Sequence, residues 1–409
     1  MNTNQTSNPA QAGKALAPSH GYYIFLIIYM AGLSAFGSFV NDMYLPCLPN
    51  LVKVFGCSVS MTQLSLTMGM IGLGAGEIIF GPVSDKWGRK PVLVIALILF
   101  CVAAAVSIFS RTIHFFLFCR LVQGLGGSAG YFLARTIPAD IYGGRQLAKF
   151  MAIIGAINGL APAAAPVLGG FMTDSVGWKG IFLTLAGIAL ILLAFCGRLK
   201  ESLPPARRLK GNLWKSFGSY RTLLANKHFM IHVMLKGAGL GLLFAYISSA
   251  PFIIQTHYGY TPTQFGLFMG LNAICMGAGS MLALRFKLLK RAGFIGGCML
   301  FATTVIEAAG MFLISNFWCY ELLLLPMLFS LGMIFTVGNT LAMNEGRSNA
   351  GSASGLLGVF GYIFGAVVSP LVGMGDILHS SALVYTALAA IVLLFAFLTR
   401  HVPADLDKL

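Results

Sequence analysis

The chain has 409 residues, 57% of them hydrophobic and only 10% charged, with a formal net charge of +15. That apolar content, with a mean hydropathy of +0.82, excludes an ordinary soluble domain. The cations sit between long apolar runs, an arrangement that suits anionic lipid headgroups and argues against nucleic acid as a partner.

Residues 1–20 are polar and lack the apolar stretch and cleavage site of a signal peptide, so they are expected as a disordered cytoplasmic tail. A hydrocarbon core about 30 Å thick needs roughly 20 apolar residues per helix. Twelve such runs follow, at 22–46, 60–83, 91–110, 114–138, 147–173, 177–197, 229–254, 262–285, 292–315, 318–343, 350–374 and 378–400. The expected class is an all-α integral membrane protein with two six-helix bundles, 21–197 and 229–400. A cytoplasmic linker at 198–228 joins them, and a short tail occupies 401–409. Residues 198–227 alone supply eight cations, and most others fall on the same side of the runs, whereas the other side has only Lys53, Arg111 and Lys179. The positive-inside rule then puts both termini in the cytoplasm.

Ionisable side chains at membrane depth are costly and mark candidate functional positions. Five are read here: Asp42 in run 1, Glu77 in run 2, Arg120 in run 4, Lys236 in run 7 and Glu307 in run 9. Asp42 and Arg120 lie at matching depth from the same face, so an ion pair is expected. It is either fixed or one in which the carboxylate alternates between a proton and Arg120 or a substrate. Glu77 fits a second protonation site or a structural hydrogen bond equally. Lys236 fits snorkelling to the cytoplasm or an anionic substrate, and Glu307 a neutral structural carboxyl.

Arg120, Gly124, Gly127 and Tyr131 are spaced 4, 3 and 4 apart and share one helix face, matched in run 1 by Ala31, Ala35, Ser38 and Asp42. Both stripes suit a central cavity. Phe244, Tyr246, Asn272 and Asn339 extend that candidate lining into the second half, since apolar drugs need aromatic walls with few polar contacts. Glycine seams in run 2 (Gly69, Gly72, Gly76, Gly81) and run 11 (Gly351, Gly355, Gly358, Gly361, Gly365) read as tight packing or as sliding surfaces. The eight cysteines show no metal-ligand spacing. Cys47 and Cys57 fall near one face and are a possible disulfide in an oxidising environment.

The string GPVSDKWGRKP at 81–91, between runs 2 and 3, resembles the loop between helices 2 and 3 of major facilitator superfamily transporters. It carries Gly81, Asp85, Gly88, Arg89 and Lys90. A second copy after run 8 keeps only the positive charge, at Arg285, Lys287, Lys290 and Arg291. RLVQGLGGSAGYFLARTIPADIY from Arg120 resembles the helix 4 signature of proton-driven drug exporters in that superfamily. DMYLPCLP at 42–49 and ESLPP at 201–205 resemble the Bcr/CflA drug resistance group. AINGLAPAAAPVLGG in run 5 resembles the exporters' helix 5, with Pro162, Pro166, Gly169 and Gly170 in place and Ala161 and Ala165 where glycine is usual.

The resemblance implies a twelve-helix drug/proton antiporter of the bacterial inner membrane, with Asp42, Arg120 and Glu77 in proton coupling. It implies no cofactor beyond the coupling proton, a monomer, and a small molecule and the bilayer as partners. A latch is expected in which Asp85 faces the start of helix 11 near Asn349–Ser352 and Arg89 reaches Asp140, closing the cytoplasmic side. The rival of the same fold is a metabolite or siderophore carrier. No HExxH, GxSxG or Walker-type sequence occurs, so an enzyme is not expected.

Overall fold

The computed structural model describes residues 20–208, 218–313, 316–347 and 350–401. Its helices are α1 (His20–Asp42), α2 (Leu48–Phe55), α3 (Val59–Trp87), α4 (Arg89–Ser107), α5 (Ile113–Ile141), α6 (Gly144–Cys196), α7 (Gly218–Ala225), α8 (Lys227–Pro251), α9 (Pro262–Ala283), α10 (Leu289–Leu313), α11 (Phe317–Glu345), α12 (Ala350–Leu371) and α13 (Ile377–Arg400). Their starts are set by local chemistry. The Ser58 side chain accepts from Met61 N and Thr112 from Phe115 N, while Thr261 and Gln264 close a capping box.

Among the described residues, ten helices are long and apolar enough to cross a membrane. Two further runs read from the sequence correspond to features outside that count. The first is α5, whose apolar character is diluted by Arg120, Gln123 and its glycines. The second lies within α6, whose 53 residues are interrupted at Gly177 (φ 66°, ψ −175°), between runs 5 and 6. The helices turn apolar side chains such as Ile28, Leu160, Leu183 and Ile274 outward, which only a lipid surface would favour.

Helices α1 and α3–α6 pack with one another, as do α8–α13, and the two sets meet chiefly where α6 lies on α9 and α3 on α12. Glycine decides these approaches in two ways. A Cβ on Gly72 of α3 would run into the Leu121 carbonyl of α5, and one on Gly124 of α5 into the Gly69 carbonyl. The run 2 seam is therefore backbone-to-backbone packing inside the first half. Along α12, Gly358 faces Glu77, and Gly365 faces Met70 and Phe244. That seam lies partly between the halves and partly against α8 of its own half, where Gly361 faces Leu240.

Five side chains join the halves at the face opposite the linker. Ser60 donates to the Pro370 carbonyl (2.9 Å), Gln63 to Ser248 (3.0 Å), Thr67 to Ala366 (3.0 Å) and Gln255 to Pro46 (3.1 Å), while Asp174 accepts from Thr263 N (3.2 Å) and its hydroxyl. Cys47 and Cys57 are free, bonded instead to the hydroxyls of Thr173 (3.1 Å) and Thr62 (3.3 Å).

The packing makes a direct prediction. Gly124→Val has to push α5 off α3 and is expected to cost about 1–3 kcal/mol or more, seen as a lost monodisperse peak or a lower thermal midpoint in detergent. Gly155→Ala, with open space around the new Cβ, should leave that midpoint in place.

Candidate coupling and substrate site

Thr112 fixes the start of α5, and two turns later Arg120 enters the first half with no exposed surface. Its Nη1 donates to Gln123 Oε1 at 2.7 Å, and Gln123 Nε2 donates onward to the Ala103 carbonyl of α4 at 3.2 Å. The guanidinium carbon stands 4.2 Å from the Tyr44 ring centroid and 5.7 Å from that of Phe182, a cation–π cage. Gly69 makes the room, since a Cβ there would lie 3.0 Å from Nη2 and 3.4 Å from Asn41 Oδ1. Arg120 Nε and Nη2 and Asn41 Oδ1 have no hydrogen-bond partner in the structure.

The expected Asp42–Arg120 ion pair is not made. Asp42 is buried, accepts a 3.4 Å hydrogen bond from Asn41 Nδ2, and stays within electrostatic reach of Arg120 without contact. The reason is local. Gln123 and the two rings hold the guanidinium, while the end of α1 turns the carboxylate toward the junction of the halves. There it lines a cavity of about 50 Å³ with Pro162 and Pro166 of α6, Tyr246 of α8 and Asn272 of α9. Tyr246 Oη accepts from Asn272 Nδ2 at 2.9 Å and donates to Met269 Sδ at 3.0 Å. That space holds a few waters at most and is far below the roughly several hundred Å³ a drug-sized ligand needs.

Gly169 and Gly170 explain how α6 comes so near. A Cβ on the first would strike the Met43 carbonyl, and on the second the Pro262 carbonyl at the start of α9. The exporter-like motif of run 5 therefore forms the contact between halves beside the cavity.

The remaining candidate residues do not line that cavity. Ser38 is half-buried on α1, and Phe244 packs against Gly365 and Tyr362. Tyr131, Lys236 and Asn339 gather toward the linker face, where Lys236 Nζ donates to Asn339 Oδ1 at 2.8 Å and the Arg135 guanidinium lies 4.2 Å from the Tyr131 ring centroid. Glu77 is buried within electrostatic reach of both Arg135 and Lys236, its carboxylate pressed against Gly358. Arg135 lies in the last two turns of α5, on the linker side of the first half. Glu321, buried near the start of α11, was missed because a single acid close to the end of a run resembles an interfacial residue.

The 81–91 loop is largely helical. Asp85 pairs with Arg89 at 2.6 Å across the turn at Gly88, and Asn349, at the start of the helix it was expected to face, lies outside the described residues. Arg89 Nε does reach Asp140 Oδ2, at 2.9 Å, and Nη1 donates to Ser84 Oγ at 2.7 Å. These contacts stay within the first half, so they do not bridge the halves here. Glu201, from the ESLPP stretch, completes the cluster. Its carboxylate accepts from Arg89 N (2.9 Å) and Lys90 N (3.2 Å) and so caps the start of α4, while Lys90 Nζ donates to the Gly197 carbonyl (3.2 Å). Gly88 sits at φ 104°, ψ 157°, a region reserved for glycine, and a Cβ would also lie 2.6 Å from Glu201 Oε2. Gly81 has no such constraint, since its Cβ would meet Phe132 at 3.7 Å. Gly88→Ala should therefore destabilise the protein by about 1–3 kcal/mol, and Gly81→Ala much less, when their thermal midpoints are compared.

Residues 28–370 match the family model described as Major Facilitator Superfamily. The chain is 34% identical to an uncharacterised MFS-type transporter, YdgK, of Bacillus subtilis over 86% of this chain and 89% of that one. It is 28% identical to a bicyclomycin resistance protein homolog of Haemophilus influenzae, covering 92% and 97%. It is 30% identical to a chloramphenicol resistance protein of Pseudomonas aeruginosa, covering 61% and 59%. Among solved structures, the partially occluded inward-open xylose transporter XylE of E. coli superposes with a TM-score of 0.71 at 14% identity, over 96% and 100% of the two chains, a likeness of fold alone. These relatives agree with the Bcr/CflA resemblance in the sequence. The chain belongs to the Major Facilitator Superfamily and is a membrane transporter, not an enzyme.

Proposed function

We propose that the protein exports small drug molecules across the bacterial inner membrane in exchange for protons, by alternating access between its two halves. The observation that carries this reading is Asp42, a buried carboxylate that lines the cavity between the halves with no cation bound to it. Close by, Arg120 holds two nitrogens without partners. A carboxylate so placed binds a proton in the closed cavity and, once deprotonated, takes Arg120 or a cationic drug as its counter-ion. Drug and proton then compete for one group, which is what exchange requires.

The linker face is taken as cytoplasmic because the cations concentrate there, so both termini lie inside. The hydrogen bonds from Ser60, Gln63, Thr67, Gln255 and Asp174 hold the opposite face closed, and drug enters from the cytoplasm past Tyr131, Arg135 and Lys236. The named functions of the bicyclomycin and chloramphenicol resistance relatives support drugs as the cargo. The transporter acts as a monomer in the bilayer, with the proton as its coupling ion and no other cofactor. Glu77 serves as a second acidic group on the entry path.

Transport into everted vesicles under a proton gradient tests the coupling. Asp42→Asn should lose uphill drug accumulation down to the passive leak, while keeping downhill drug exchange. Uphill transport at the parent rate would remove Asp42 from coupling. A second reading, a carrier for an anionic metabolite or siderophore, is favoured by the paired cations Arg135 and Lys236 on the entry path. Overexpression against a panel of toxic compounds separates the two, since a dedicated metabolite carrier should protect against few of them.

A further inference from the structure

Behind the cavity wall, α9, α10, α11 and α13 enclose a second acidic pair. Glu307 of α10 is 1% exposed and Glu321 of α11 is 2% exposed. They lie within electrostatic reach of each other. Among the described residues, none of their four carboxylate oxygens has a hydrogen-bond partner. Burying an ionised carboxylate without a cation or hydrogen bonds costs several kcal/mol or more, and two together add mutual repulsion. The groups that face the pair are Tyr246 of α8, Asn272 of α9, Tyr320 of α11 and Tyr385 of α13. None of these is a base or a cation.

The surroundings are also unsatisfied in a way that complements neutral carboxyls. Tyr320 is 4% exposed and its hydroxyl has no acceptor, while Asn272 is 2% exposed and its Oδ1 has no donor. A protonated carboxyl offers both, an O–H for an amide oxygen and a C=O for a phenol. Asn272 also gives the pair a way out, because it lies beside Glu321, donates to Tyr246 and lines the same cavity as Asp42.

We propose that Glu307 and Glu321 form a second proton-binding site in the second half, reached by water through the cavity at Asn272 and Tyr246. While the cavity is closed, both carboxyls keep their protons. When it opens, the O–H bond of Glu321 breaks, the proton passes to an entering water, and the remaining carboxylate is held by the Asn272 amide and the Tyr320 hydroxyl. The site shares with the proposed function only the premise that the cavity opens and closes, and it needs no role for Asp42.

Infrared spectroscopy of the purified full-length protein tests it through the carbonyl stretch of protonated carboxyls. The parent should keep a buried-acid band at neutral pH. Glu307→Gln and Glu321→Gln should each remove part of that band. On transfer to deuterium oxide the band should shift, and Asn272→Leu should slow the shift. A parent spectrum without the band at neutral pH, or glutamine variants that superimpose on the parent, would overturn the site. A band that never exchanges would reduce it to a sealed structural pair and also overturn it. Asp42→Asn should leave the Glu307 and Glu321 contributions in place whether or not it abolishes coupled transport, so the two proposals fail separately.

Discussion

A guanidinium with no exposed surface organises the first half. Arg120 cannot be left alone in an apolar interior, and everything around it follows from holding it. Gly69 gives it space, Gln123 takes one nitrogen and ties it to α4, and Tyr44 and Phe182 supply aromatic faces. Because those contacts already fix the cation, the acid that might have neutralised it is released. Asp42 instead lines the cavity at the junction of the halves.

The two glycine-rich seams make contacts of different kinds. Where α3 meets α5, glycines bring carbonyl oxygens against the neighbouring backbone, and the contact cannot shift without a clash. Where α12 meets α3 and α8, glycines face side chains of Glu77, Met70, Leu240 and Phe244, whose rotamers can adjust.

Much of this was legible in the sequence, and the failures are specific. The apolar runs located the helices to within a few residues because the bilayer fixes their length, and Gly177 marks a boundary that hydropathy already located. Tyr246, Asn272, Pro162 and Pro166 were read as cavity or motif residues and do surround Asp42. Depth along a helix was legible but direction was not, which is why Asp42 and Arg120 looked like a bonded pair. The Asp85–Arg89 pair was not foreseen, because the sequence could not show that residues 81–87 stay helical and that the turn at Gly88 brings Arg89 back to Asp85. Glu201 was known only through a resemblance, since nothing in the string ESLPP says that its acid caps α4.

The clasp opposite the linker has an energetic scale. Hydrogen bonds in proteins contribute about 0.5–1.5 kcal/mol each net of solvent, so the bonds from Ser60, Gln63, Thr67, Gln255 and Asp174 together amount to a few kcal/mol. Moving one elementary charge through a membrane potential of 100 mV is worth about 2.3 kcal/mol. The closed face is thus held by an amount that one or two charges crossing an energised membrane can offset. Single hydrogen bonds, four from neutral side chains to backbone carbonyls and one set accepted by Asp174 from Thr263, are thus of the size that a membrane voltage can shift.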